Sequence, residues 1–188
     1  MPNRRAPQPL ALVQDLVNTY DVEDERETLV DGPSLTAFLT AHGLGEPGPA
    51  TADLPAVREL REALRGACLA HAGHDPDPTA VQRLNRLLAD APLVVRTAPD
   101  GRARLVPAPG TAGAGRLTSR IAADIAAAAA EGTWQRLKAC EAEDCRWVFY
   151  DRSPAGRSRW CSMQVCGSRA KMRAYRDRRR TTGHGTTL

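Results

Sequence analysis

The chain has 188 residues and the composition of a globular protein, with 42% hydrophobic and 26% charged residues. It contains no run of 18 apolar residues, and prolines interrupt the basic N-terminal segment, so the sequence indicates neither a membrane span nor a signal peptide. We therefore expect a cytoplasmic protein with reduced thiols and no membrane partner.

Apolar residues at helical spacing predict a mainly helical N-terminal region. Asp53 and Asp77 are good N-cap residues, and a proline follows each within the first turn. In chain order, the predicted helices cover residues 10–20, a short segment ending at 29–30, and residues 34–41, 53–71, 77–88, 117–132 and 134–139.

Between the fifth and sixth of these helices, the spacing of apolar residues changes from a helical pattern to a β-type pattern. Two β-type runs, 93–95 and 105–106, flank the turn signal Pro99-Asp100-Gly101 and predict a β-hairpin. Residues 1–135 are therefore predicted to be a mainly α domain with one β-hairpin, of the α+β class.

Charge is distributed unevenly along the chain. Residues 1–139 carry 15 basic and 17 acidic side chains, whereas residues 140–180 carry 11 basic and 5 acidic ones. Five of the eight aromatic residues also lie in 140–180. A basic, aromatic end on a near-neutral body points to a polyanionic partner. Arginine supplies 24 of the 26 basic residues, a bias typical of GC-rich bacterial genomes.

Four cysteines in the basic end predict a metal site. They form two C-x4-C pairs separated by fifteen residues, and they are Cys140, Cys145, Cys161 and Cys166. Zinc prefers four thiolates in a tetrahedron, and four protein ligands leave no open position, so the predicted zinc is structural. Disulfides, or cysteines without a joint role, are the alternatives, and a reducing compartment disfavours disulfides.

The residues around these pairs predict the layout of a treble-clef finger. Residues 147–150 and 157–160 are predicted to form a β-hairpin around a turn at 153–156. After Cys161 the sequence becomes helical, with Val165, Met172 and Tyr175 on one face. The predicted order is thus zinc knuckle, β-hairpin, then a second knuckle at the start of a helix.

The segments Cys140-Glu-Ala-Glu-Asp-Cys145-Arg-Trp-Val-Phe-Tyr-Asp151 and Arg159-Trp160-Cys161-Ser-Met-Gln-Val-Cys166-Gly-Ser168-Arg169-Ala-Lys171 closely resemble the CGNR zinc-finger family. Ser168 stands where the family motif has Asn. Residues 10–19 resemble the start of the ABATE domain that usually precedes this finger. The resemblance implies a bacterial, stress-linked transcription regulator, with a domain over 1–135 and a finger over 136–180. The polar C-terminal end, 181–188, is expected to be disordered.

The basic residues of the finger are candidate DNA contacts, because arginine is always charged and binds phosphate in a bidentate manner. The candidates are Arg157, Arg159, Arg169, Lys171, Arg173, Arg176 and Arg180. The alternatives are a solvated helix face, a finger that binds only protein, and a structural role for Arg169, such as pairing with Asp151. Trp147 and Trp160 could stack on bases, but packing around the zinc is favoured.

Asp15 and Asn18 are candidate ligand-binding residues on the first helix, although surface or capping roles are favoured. Cys68 is expected in the core, and a second metal site at His71 and His74 is disfavoured. No nucleophile elbow, phosphate loop or dinucleotide fingerprint is present, so no enzyme activity is expected.

The sequence thus predicts a DNA-binding transcription regulator whose N-terminal domain senses a small molecule or a protein partner. The alternative is a protein-interaction finger attached to a ligand-binding domain, with no DNA contact. A homodimer is a further expectation, since one finger of this size would bind DNA weakly alone.

Overall fold

The computed structural model describes residues 4–45, 50–75 and 77–182. Within these residues, the α-helices are α1 (Ala11–Val17), α2 (Gly32–Ala41), α3 (Leu54–His71), α4 (Pro78–Ala89), α5 (Gly113–Ala130) and α6 (Ser168–Thr182). The strands form three antiparallel pairs: β1 (Tyr20–Asp21) with β2 (Arg26–Glu27), β3 (Leu93–Thr97) with β4 (Ala103–Pro107), and β5 (Leu137–Ala139) with β6 (Val148–Tyr150). The predicted mainly helical class is confirmed. The predicted tail lies outside the described residues from position 183 onward.

Side-chain capping explains where α2 and α4 begin. Asp31 accepts a hydrogen bond from the Ser34 backbone, and the Ser34 hydroxyl accepts one from the Asp31 backbone, which makes a capping box for α2. Asp77 caps α4 through the Thr79 N–H, as predicted. Asp53 precedes α3 but makes no capping bond with its side chain.

Helix α3 lies at the centre of the fold. It packs against α1, α4, α5 and strand β5, and its apolar stripe, which includes Leu60, Leu64 and Cys68, is fully buried. Cys68 is therefore a core residue, and burial raises the pKa of its thiol to about 12. The same core cluster contains Leu137, Ala139, Val148 and Tyr150 of the C-terminal region. The finger therefore shares one hydrophobic core with the part of the chain that precedes it, residues 4–135, which we call the helical region.

The short second helix predicted to end at 29–30 is absent from this described part of the chain, and residues 20–27 just before that point form the β1–β2 hairpin. The buried guanidinium of Arg61 on α3 binds the Glu27 carboxylate at 2.7 Å, and Thr28 N–H donates to Thr19 O at 2.9 Å. Glu25 at the tip adopts a positive φ of 49°, which a helix does not allow. An ion pair with α3 and a left-handed residue thus accompany a hairpin in place of the predicted helix.

The chain before the first cysteine also differs from its prediction. A 3₁₀ turn, Trp134–Arg136, is followed by β5 instead of a continuous helix. Strand β5 pairs with β6 in the register Leu137↔Tyr150, Lys138↔Phe149 and Ala139↔Val148. Residues 147–150 therefore include a strand, as predicted, but its partner precedes the first knuckle. The predicted strand 157–160 is extended loop, joined to the knuckle where Glu141 N–H donates to Arg159 O at 2.9 Å.

Candidate metal centre and nucleic-acid interface

The four predicted zinc ligands converge in space. The sulfur atoms of Cys140, Cys145, Cys161 and Cys166 all lie within 4.8 Å of one another. The Sγ atom of Cys161 lies 3.7 Å from those of Cys145 and Cys166. Thiolates at ~2.3 Å from a tetrahedral zinc ion are separated by ~3.8 Å, so the cluster has the size that zinc requires.

The protonation chemistry of the cluster also fits a divalent cation. The neighbouring sulfurs of Cys140 and Cys145, and then burial, raise the pKa of Cys161 far above its usual range. The contact with Cys140 is also the main cause that raises the pKa of Cys145 to about 12. Four thiols this close cannot all lose their protons without a cation between them. A divalent metal ion supplies the positive charge that stabilises four thiolates.

Two tight turns place the sulfurs. In the first knuckle, the N–H groups of Cys145 and Arg146 both donate to Ala142 O, at 3.0 and 3.1 Å. Arg146 completes this turn with a φ of 54°, a conformation that usually selects glycine. In the second, Cys166 lies on a π-helical turn, Met163–Gly167, that leads directly into α6.

Ser168, which replaces the family's Asn, has a local structural role at this junction. Its hydroxyl donates to Met163 O at 3.2 Å and so closes the π-helical turn. The two tryptophans near the cluster also have structural positions, since Trp147 and Trp160 both pack against the cysteines. This packing accounts for the presence of both tryptophans without a role in base stacking.

A buried ion pair supports the finger beside the zinc site. The Asp151 carboxylate is fully buried, lies 3.0 Å from Lys138 Nζ, and accepts hydrogen bonds from the N–H groups of Ser153 and Ser158. Burial alone would raise the pKa of Asp151, but these hydrogen bonds outweigh it and hold the pKa well below its usual range. Asp151 therefore pairs with Lys138 and not with Arg169, the pairing considered from the sequence.

The helical region holds both edges of the finger hairpin. On the β6 side, the Asn18 amide bonds to the backbone of Val148, and the buried Gln14 amide donates to Val148 O at 3.1 Å. On the β5 side, His71 Nδ1 donates to Leu137 O at 2.8 Å. The guanidinium of Arg65 reaches Arg146 O at 3.0 Å in the knuckle itself. These contacts fix the zinc site against α1 and α3.

The predicted DNA-contact residues divide into two groups. Three are engaged within the chain: Arg159 with Glu141, Arg169 with Glu23 at 2.5 Å, and Arg173 with Asp144 at 3.5 Å. The other four are exposed and have no ion pair or side-chain hydrogen bond with the described residues, and they are Arg157, Lys171, Arg176 and Arg180. Lys171, Arg176 and Arg180 lie along α6, whereas Arg157 lies in the loop before Cys161. The apolar residues Met172 and Tyr175 of α6 are 53% and 50% exposed.

The two candidate ligand residues, Asp15 and Asn18, line one cleft between the helical region and the finger. The cleft has a volume of about 720 Å³ and is also lined by Cys145, Cys161 and Cys166. Asp15 forms an ion pair with Arg5 at 2.8 Å, while Asn18 is the C-cap residue of α1 and is engaged with Val148. The structure thus brings both residues to a concave surface, although the amide of Asn18 is already engaged there.

The disfavoured second metal site gains no support. His71 is bonded to Leu137 O and lies edge-on to the Trp134 ring, while His74 Nε2 has no hydrogen-bond partner in the part of the chain that the structure describes. Across the described ranges, the cysteine cluster is the one group of three or more metal-ligating side chains that could hold an ion.

Four clustered thiols on a knuckle, a β-hairpin and a helix define a zinc-finger protein with one structural zinc ion. Residues 136–179 match the model of the CGNR zinc finger, as the sequence motif implied. Residues 10–132 match the model of the ABATE family, described as "Putative stress-induced transcription regulator". This match covers most of the chain, and the protein therefore belongs to the ABATE family. A comparison with curated proteins found no match. None of the described helices is long and apolar enough to cross a membrane.

Proposed function

We propose that the protein is a DNA-binding transcription regulator that docks α6 on the phosphate backbone, while its helical region senses a signal or a partner. One observation carries the proposal: α6 projects from the zinc site and presents exposed cations, of which Lys171, Arg176 and Arg180 have no ion pair with the described residues. From Arg169 to Arg180 the helix contains seven basic residues and one acidic residue, Asp177. At 15 residues it is about 22 Å long, which suits docking along or into a groove.

The zinc ion orients this helix and takes no part in chemistry, because four thiolates would leave it no open position. The helical region contributes the contacts that hold the finger in place, and its cleft offers a surface for a signal. The proposal requires no catalytic residue. It assigns the protein to the cytoplasm, where DNA and reduced thiols are available.

The test uses zinc-loaded full-length protein and a library of random duplex DNA at two salt concentrations. The double variant Lys171→Ala/Arg176→Ala removes two exposed cations of α6, and Arg86→Ala/Arg96→Ala removes the same charge from the helical region as a matched control. Loss of two phosphate contacts makes the negative slope of log K against log salt shallower by about 1.8. We expect this change in the α6 variant and not in the control.

A protein-interaction finger is a second candidate, favoured by a specific observation. Three of the predicted DNA-contact arginines are already paired within the chain, and Met163, Met172 and Tyr175 leave an apolar surface exposed. Equal DNA retention by both variants, or no salt-dependent retention at all, would favour this candidate. In that case the exposed apolar surface is the site to mutate next.

A further inference from the structure

The cleft between the helical region and the finger has the size and walls of a small-molecule site. Its volume of about 720 Å³ lies within the range of about 300–1,000 Å³ typical of ligand pockets. Aromatic rings from both regions line it, Phe38 from α2 and Trp147 and Phe149 from the finger. The cleft therefore forms only where the folded finger meets the N-terminal helices.

The charges around the cleft favour a cation. The carboxylates of Asp15, Asp21 and Glu23 line the cleft, and its basic lining residues are Arg4, Arg5 and His42, whose Nε2 lies 3.7 Å from Asp15. Three cysteines of the zinc site, Cys145, Cys161 and Cys166, also line it, and Zn²⁺ with four thiolates carries two net negative charges. Arg169 pairs with Glu23 from outside the lining and offsets one carboxylate. These three carboxylates and three arginines balance, so the net negative charge at the cleft is that of the zinc–thiolate cluster, and low-dielectric walls around it concentrate cations.

The chain's own arginines show how these walls bind a cation. The guanidinium of Arg4 lies over the Phe149 ring, 4.9 Å from its centroid, and that of Arg5 binds Asp15 at 2.8 Å. These are a cation–π contact and a charge-assisted hydrogen bond, the two interactions with which proteins bind organic ammonium groups. Phe38 and Trp147 offer further aromatic surface in the same cleft.

We propose that this cleft binds an organic cation with an apolar body, such as an aromatic or aliphatic amine. The ammonium group would lie beside Asp15 and Asp21, and the apolar body would lie against Phe38 and Trp147. The assignment of this site to signal sensing rests on the function proposed above. The binding itself does not depend on that function, and it is measured without DNA.

The experiment is calorimetric titration of zinc-loaded full-length protein with three probes that share a phenyl-alkyl body. They are 2-phenylethylamine, which is a cation at pH 7, the neutral 2-phenylethanol and the anion 3-phenylpropionate. We expect saturable binding of the amine, with a Kd of about 1 mM or tighter for a probe of this size. The alcohol should bind at least about tenfold more weakly and the anion more weakly still, because both lack the cation–π and ion-pair contacts.

Two variants test the position of the site. Asp15→Asn removes one carboxylate of the cleft, and Asp21→Asn is a second variant in case the first disturbs the Arg5 contact. Asp90→Asn, at the exposed end of α4, removes the same charge outside the cleft. We expect roughly three- to tenfold weaker amine binding in each cleft variant and unchanged binding in the control.

Each protein must retain one zinc per chain and a wild-type melting temperature, so that a loss of binding reports on the cleft. No saturable binding of the amine, tighter binding of the anion than of the amine, or equal effects of the cleft and control variants would overturn the proposal. Because DNA affinity is measured separately on the ligand-free protein, failure of this site leaves the DNA-binding proposal standing, and failure of DNA binding leaves the site standing.

Discussion

The side-chain amide of Asn18 binds both backbone polar groups of Val148, 130 residues later in the chain. Asn18 Nδ2 donates to Val148 O at 2.9 Å, and Val148 N–H donates to Asn18 Oδ1 at 2.8 Å. Asn18 caps the end of α1, and Val148 is the fully buried first residue of β6. One side chain thus joins the helical region to the strand that leaves the first zinc knuckle.

This relationship predicts a large cost for Asn18→Ala. The substitution leaves the buried N–H of Val148 without its partner, and an unsatisfied buried group costs about 1–3 kcal/mol. Urea denaturation should show that decrease in the free energy of unfolding. Asn85→Ala, on the exposed face of α4, is the matched control and should change stability by no more than about 0.5 kcal/mol. Equal costs for the two substitutions would contradict the role assigned to Asn18.

Metal content should depend on the four clustered cysteines and not on the fifth. Elemental analysis should find one zinc per chain in the wild type and in Cys68→Ala, and a large loss in Cys161→Ser. Because Leu137 and Val148 belong to the core shared with α3, zinc removal should also speed hydrogen exchange in the buried part of α3. A helical region with unchanged exchange after chelation would show that the finger unfolds independently.

The buried pair of Lys138 and Asp151 should make the finger sensitive to mutation and to acid. Asp151→Asn leaves the Lys138 ammonium buried without a counter-charge, and breaking such a pair costs about 3–5 kcal/mol. The pKa of Asp151 is lowered in the folded state, so its stabilisation is fully present above its ordinary value of 3.8. That stabilisation is lost as pH falls from 3.8 through the lowered value.

The measurement is urea unfolding of wild type and Asp151→Asn between pH 7 and pH 3. Adding Lys138→Met to the variant should recover part of the lost stability, because it removes the unpaired charge. If Lys138→Met lowers the free energy of unfolding by the same amount in Asp151→Asn as in the wild type, the two residues do not act as a pair.

His71 should give the protein a second, milder pH dependence. Burial lowers its pKa, and this outweighs the hydrogen bond to Leu137 O, which acts in the opposite direction. As pH falls through the ordinary value of 6.5, His71 is therefore protonated in the unfolded chain at a higher pH than in the folded protein. The free energy of unfolding should decrease from that pH down to the lowered pKa of the folded state and then level off.

Unfolding at pH 7.5 and pH 5.5 should show a smaller pH dependence in His71→Gln than in the wild type. Glutamine can still donate to Leu137 O but does not titrate in this range. An unchanged pH dependence in the variant would assign the effect to other groups.

The ion pair between Glu23 and Arg169 should limit DNA affinity if α6 docks on phosphate. Glu23→Gln frees the Arg169 guanidinium, and we expect a roughly two- to fivefold gain in affinity for a random duplex at low salt. Fluorescence polarisation measures this gain. Glu59→Gln, which frees Arg83 on the helical region, is the matched control and should leave affinity unchanged. A gain of equal size in both variants would reflect net charge alone.

The sequence by itself determined the zinc ligands, because soft thiolates in two short-spaced pairs have few other roles in a reducing compartment. It also determined most helices, because apolar residues recur at helical spacing within each one. The Asp77 cap and the β3–β4 hairpin were predictable for the same reason, since their signals lie within a few residues.

Only the tertiary structure decided the contacts between distant segments. The pairing of β5 with β6, the Asn18–Val148 and Lys138–Asp151 contacts, and the cleft walled by both regions depend on where the chain returns in space. Local periodicity contains no such information, so a short helix ending at 29–30 was predicted where Arg61 binds Glu27 of the β1–β2 hairpin. The same limit applies to the basic residues: the sequence shows their number, and the fold decides which of them are already paired.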